Sequence, residues 1–207
     1  MKSIAILLFD HVEVLDFAGP FEVFSITGQR NVGEPFRVFT VAEKKSIAAK
    51  NNLIIQPTYL LGECPPCDIF LVPGGGGFHQ DGKPFGTRYE IDNISILNWV
   101  KSRAAKADLV LSVCSGALIL AKAGLLENKE ATTHFMAVDL LKSIAPTTKV
   151  SPEKRWVDNG QVVLSAGVSA GIDMALYIVE RLQGKEVANE AARYMQYDYW
   201  EQNPGNN

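Results

Sequence analysis

The chain has 207 residues, 47% hydrophobic and 21% charged, with 23 acidic against 20 basic residues and a net charge of −3. That length suits one domain able to bury a core without disulfide or metal staples, and the charge balance leaves no basic surplus for a nucleic-acid face. Three cysteines are no disulfide framework, and the longest early apolar run, residues 4–9, is too short for a membrane span or signal sequence, so a reducing, cytoplasmic setting is expected.

Apolar bursts alternate with amphipathic stretches along the chain. Residues 4–9 read as a buried strand. Gly19-Pro20 is expected to open a helix carrying Phe21, Val23, Phe24 and Ile26. Residues 36–41 alternate like a half-exposed strand. Residues 68–72 form a second buried strand that runs directly into Pro73-Gly74-Gly75-Gly76-Gly77. A helix is predicted over 91–105, a third buried strand over 108–113, and a helix over 115–123. Short β-like runs follow near Lys149, at 155–157 and at 162–164. Helices are then expected over 169–182 and 187–200, and the polar end 203–207 is expected to fray. No repeat or linker divides the chain, so 1–207 reads as one domain with its core over about 4–182 and a C-terminal helix and tail over 187–207. Buried strands alternating with helices predict an α/β fold around a mostly parallel sheet. In such sheets the ligand crevice lies at the carboxyl ends of the strands.

Chemistry is therefore sought just after each buried strand. Cys114, in Leu109-Val-Leu-Ser112-Val113-Cys114-Ser115-Gly116-Ala117, stands between a strand and a helix with small residues on either side, the pattern of a nucleophile elbow. Such a turn is expected to expose the sulfur and set it by a helix N-terminus, which favours the thiolate; a buried cysteine acting as a small hydrophobe is the plainer alternative. The glycines after Pro73 allow backbone N–H groups to approach a ligand, and the amides of Gly75 and Ser115 form a natural donor pair if the two strands are neighbours. A P-loop or dinucleotide fingerprint is absent from this stretch.

Asp16 lies among apolar residues in Val12-Glu-Val-Leu-Asp16-Phe-Ala-Gly-Pro20, where burial would raise its pKa and let it exchange a proton with a thiol. It could equally cap the following helix. Glu22 is a possible helper. His134 could pair with a cysteine or orient substrate, whereas His11 and His79 read as surface residues. Phe17, Phe78 and Phe135 could shape an apolar pocket or belong to the core. With three histidines and no metal-ligand spacing, neither a metal nor a cofactor is expected. Cys64-Pro-Pro-Cys67 has redox or zinc-half-site spacing, but it does not open a helix and reads first as a proline-stiffened approach to the strand at 68–72, with a regulatory disulfide as the alternative.

Together, Ser-Val-Cys114-Ser-Gly-Ala, Val-Pro-Gly-Gly75-Gly, Leu-Asp16-Phe-Ala-Gly-Pro, Gly124-Leu-Leu-Glu-Asn-Lys-Glu-Ala-Thr-Thr-His134 and Ser165-Ala-Gly-Val-Ser-Ala-Gly-Ile-Asp173 resemble the ThiJ/PfpI superfamily, of glutamine amidotransferase-like type. Within it they most resemble the isonitrile hydratase branch, with the related domain of AraC-type regulators next. The resemblance implies a flavodoxin-like three-layer sandwich and a homodimer. It places Cys114 on the reactive cysteine, Asp16 on its acidic partner, and Gly75 and Ser115 on the backbone positions that hold a developing anion. Ser115 replaces the His that peptidase-like members carry after the cysteine and the Thr typical of the hydratases. No helix-turn-helix domain precedes Asn207, so the regulators' route to DNA is not expected. The activity implied is addition of water to a small electrophile through a Cys114 adduct. The alternatives are a redox or electrophile sensor, a glyoxalase-type carbonyl scavenger, and a non-catalytic ligand-binding module.

Overall fold

The wholly apolar runs become the central strands because both of their faces are covered, which a parallel sheet between helical layers requires. A computed structural model describes residues 1–197; the rest of the expected tail lies outside the described residues. The main sheet comprises β1 (Ser3–Leu8), β2 (Arg37–Ala42), β3 (Tyr59–Leu60), β4 (Ile69–Val72), β5 (Leu109–Val113), β6 (Trp156–Asp158) and β7 (Val162–Ser165). Their order is β6-β7-β5-β4-β1-β2-β3. All neighbours are parallel except β6, which returns antiparallel on β7. Ile4 to Leu8 and Ile69 to Val72 are fully buried.

Among the described residues seven α-helices flank the sheet: α1 (Val14–Ile26), α2 (Thr87–Glu90), α3 (Ile94–Ala104), α4 (Gly116–Lys122), α5 (Val138–Ile144), α6 (Ala170–Gln183) and α7 (Lys185–Tyr194). Helices α1, α6 and α7 pack together on one side, while α2, α3 and α5 gather around α4. The result is a single-domain three-layer α/β sandwich. Its parallel core, β2-β1-β4-β5-β7, has the strand order of a flavodoxin-like sheet, whose switch point lies at β1 and its neighbour β4. Among the described residues, no helix is long and apolar enough to cross a membrane.

Two local expectations are corrected. Helix α1 starts at Val14, not at Gly19-Pro20, and encloses Pro20. The missing proline N–H deprives the Asp16 carbonyl of its helical donor, but tertiary packing overrides the local signal. A Cβ on Gly19 would lie 2.8 Å from Ile172 of α6, and one on Gly171 would lie 3.4 Å from Pro20. These two glycines let α1 and α6 meet almost backbone to backbone. The β-like run at Lys149 also leaves the main sheet, pairing as Lys149–Val150 with Glu130–Ala131 in a separate ribbon.

Candidate active site

Four strand ends converge at the switch point. The segment after β1 brings Asp16 in the first turn of α1, β4 brings Gly74 and Gly75, β5 brings Cys114, and β7 brings Val168. Cys114 has φ 58°, the left-handed conformation that a nucleophile elbow requires and that L residues rarely adopt. Hydrogen bonds on both sides hold the strain. The Cys114 amide donates to the carbonyls of Ser165 and Ala166 at 3.2 and 3.0 Å, and the buried Thr133 hydroxyl donates to the Cys114 carbonyl at 2.7 Å. Gly116 is obligatory here, since a Cβ would sit 2.1 Å from the Val72 carbonyl oxygen.

Asp16 is fully buried. Its Oδ2 accepts the Gly74 amide at 2.9 Å, while Oδ1 has no N–H or O–H donor among the described residues. The side chain that addresses it is the Cys114 thiol, and that interaction lowers the carboxyl pKa and raises the thiol's. Burial nevertheless dominates and lifts the Asp16 carboxyl from 3.8 to about 7. The Cys114 thiol is pushed up to about 12, first by burial and then by the Asp16 charge, against the opposing pull of the Ser115 and Val168 amides. Carboxylate and thiolate therefore exclude one another, and the pair holds one proton between them over the pH range separating those two values. This corrects the expectation of an exposed, readily ionised sulfur: Cys114 is 6% exposed and forms the floor of a cavity.

The glycine loop is tied to the elbow differently from the sequence expectation. The Gly75 amide, expected to face a ligand, donates instead to Ser115 Oγ at 3.0 Å. Thr87 Oγ1 lies 2.8 Å from the Gly75 carbonyl and 2.9 Å from Ser115 Oγ. Ser115 thus contributes a hydroxyl that pins the loop as well as an amide that addresses the Cys114 sulfur. Gly74 has no room for a side chain, since its Cβ would fall 2.6 Å from the Ser115 nitrogen and 2.8 Å from Asp16 Oδ2. The second amide at the sulfur belongs to Val168, whose φ of 44° is strained for a β-branched residue. Sequence reasoning missed that role, although Val168 stands in the Ser165–Asp173 stretch; neither composition nor spacing marks a strained valine.

The cavity above Cys114 measures about 880 Å³. His134 lines it, with its Nδ1 accepting the Met136 amide and its ring resting at Gly167, while burial and the Arg88 charge hold its pKa below the usual value. Phe78 and Phe135 also line it and are 60% and 77% exposed, whereas Phe17 is buried in the core. Glu22 is exposed on α1 and is not among the lining residues; an acid that does line the cavity is Glu13, ion-paired with Lys50. His11, expected at an ordinary surface, also lines the cavity, edge-on to Phe85. No three His, Cys, Asp or Glu side chains cluster as metal ligands among the described residues.

The DJ-1/PfpI family model matches residues 2–181. The chain is 34% identical to isonitrile hydratase of Pseudomonas putida over 196 residues, covering 94% of this chain and 78% of that protein. It is 24% identical to the transcriptional regulator GbdR of Pseudomonas aeruginosa, covering 95% of this chain but 51% of the regulator. A ThiJ/PfpI family protein from Pseudomonas syringae superposes with a TM-score of 0.81 at 31% identity, covering 95% and 75% of the two chains. With the strand order, the elbow and the family match in agreement, the chain belongs to the DJ-1/PfpI family.

Proposed function

We propose that the protein is a cysteine-dependent hydratase of isonitriles or of similarly small electrophiles. One observation carries this reading: a thiol held in a strained elbow at the floor of a cavity, beside a buried carboxyl group that titrates at about 7. The likeness to isonitrile hydratase supports the choice of substrate class. As Cys114 attacks the terminal carbon of R–N≡C, the Asp16 carboxylate takes the thiol proton and delivers it to that carbon, giving the thioimidate R–N=CH–S. Water, deprotonated by Asp16, then adds to the same carbon. The C–S bond breaks, the nitrogen and sulfur are protonated, and R–NH–CHO leaves the restored thiol. The Ser115 and Val168 amides stabilise negative charge on sulfur as the proton departs.

A proton held on Cys114 is the opposite of what a peroxide sensor at that position needs. The substrate is a small molecule that the cavity can enclose, with Phe78 and Phe135 offering apolar contacts at its walls; the homodimer implied by the resemblance belongs to the same reading. The test is conversion of aliphatic and aromatic isonitriles to N-substituted formamides, with glyoxals and small amides as comparison substrates. Cys114→Ala should abolish turnover and the covalent adduct seen by intact mass. Isonitrile turnover by that variant at the wild-type rate overturns the mechanism. Binding without turnover by the wild type would leave the ligand-binding reading in its place.

A further inference from the structure

Strand β4 begins beside Cys64-Pro65-Pro66-Cys67, at the end opposite the Gly74–Gly75 loop. Both thiols are free. We propose that Cys64 and Cys67 form a second thiol site, separate from Cys114, which a hydroperoxide converts to a reversible disulfide. Three groups converge on the Cys64 sulfur. The Cys67 thiol and the Trp99 indole N–H lie near enough to favour its anion, while the neutral Cys64 thiol itself donates to the Pro65 carbonyl at 3.3 Å. That indole nitrogen is buried and has no hydrogen-bond partner among the described residues. The third group is Arg103, on α3. Its guanidinium donates to the carbonyls of Cys64 and Pro65 at 2.6 and 3.0 Å and stacks 5.7 Å from the Trp99 ring centroid.

This is an arrangement for a sulfur anion: a fixed cation, an orphan indole donor, and a second thiol supplying its proton. It lowers the Cys64 thiol to about 7, while Cys67 is pushed up by its bond to that sulfur and by burial. Asp68 is the opposing charge and acts on Cys67. Two successive prolines fix two φ angles between the cysteines, so little backbone freedom is lost when the sulfurs pair. Cys64 is nearly closed to solvent and Cys67 is half-buried, which admits a small oxidant more readily than a bulky one.

In the reaction, the Cys64 thiolate attacks a peroxide oxygen, the O–O bond breaks, and the sulfenic acid Cys64–SOH forms as hydroxide leaves and is protonated. Cys67 then loses its proton and attacks the Cys64 sulfur. The S–O bond breaks, the S–S bond forms, and a second water is released. Two electrons pass from the thiol pair to the peroxide, and an added dithiol returns them.

Treatment of the protein with limited hydrogen peroxide, followed by alkylation and peptide mass analysis, tests the proposal. The peptide holding Cys64 and Cys67 should lose two hydrogens, resist alkylation, and recover with dithiothreitol. In Cys67→Ser the Cys64 sulfenic acid should persist and be captured by dimedone, and Arg103→Gln should slow alkylation of Cys64 at neutral pH several-fold. Full alkylation of both cysteines after a peroxide dose that fully oxidises a free dithiol overturns the proposal. So does a disulfide that forms only between separate chains. Because the readout is on the Cys64–Cys67 peptide, failure here is distinguishable from failure of the hydratase reading.

Discussion

Replacing Asp16 by Asn should change stability with opposite signs at the two ends of the pH scale. In the fold the carboxyl titrates at about 7, against an ordinary 3.8. Between those values the unfolded chain has released its proton and the native chain retains it, so stability falls as pH rises. About three units at ~1.4 kcal/mol each put the full penalty of the buried carboxylate on the order of 4 kcal/mol above about pH 7. Asn keeps an oxygen for the Gly74 amide but places an NH₂ at Oδ1, where the side chain facing it is the weakly accepting Cys114 sulfur, and a poorly paired buried donor costs about 1–3 kcal/mol. The variant should therefore be roughly 1–3 kcal/mol more stable than wild type near pH 8 and less stable by a similar amount near pH 4. For a chain of this size that corresponds to melting shifts of several degrees, about 2–4 °C per kcal/mol. Urea unfolding at the two pH values measures it. A pH-independent shift, or loss of stability at both ends, would refute the claim that the carboxylate is held at a cost for function.

The same substitution should move the pH midpoint of Cys114 alkylation down from about 12, because the Asp16 charge holds the thiol up; an unchanged midpoint would mean burial alone sets it. Isonitrile turnover by wild type should rise with pH through about 7 as Asp16 becomes a base, and a flat profile there would remove Asp16 from proton transfer. Gly74→Ala forces a Cβ to 2.6 Å from the Ser115 nitrogen and 2.8 Å from Asp16 Oδ2, so it should lower melting stability by about 1–3 kcal/mol and depress turnover more than stability. Thr133→Val removes the 2.7 Å bond to the Cys114 carbonyl and should lower stability by about 1–2 kcal/mol in urea unfolding. Glu22→Gln, out on the exposed face of α1, should leave both turnover and stability unchanged.

How much of this was readable from the chain follows from how local each signal is. The continuous apolar runs at 4–9, 68–72 and 108–113 declare strands covered on both faces, and the structure places β1, β4 and β5 there. The strand-to-helix junction at Cys114, with Gly116 two residues on, declared the elbow, and its φ of 58° agrees. The strand order that gathers Asp16, Gly74 and Cys114 at one end of the sheet was implied by the resemblance to a known family and by the general rule for α/β sheets. The start of α1 was misread because proline is a local signal, while the packing of Gly19 and Gly171 that keeps Pro20 inside the helix is not.

The sequence determined the layers, the elbow and the placing of Asp16, the glycine loop and Cys114 after buried strands, because strand periodicity and tight turns depend on neighbours in the chain. Only the tertiary structure decided which groups hold their protons. Burial of Asp16 against Cys114, the diversion of the Gly75 amide to Ser115 Oγ, and the approach of Val168 and Thr133 from other strand ends all join residues far apart in the chain. Desolvation and charge act through space, so the pKa values they set appear only once the chain has closed around them.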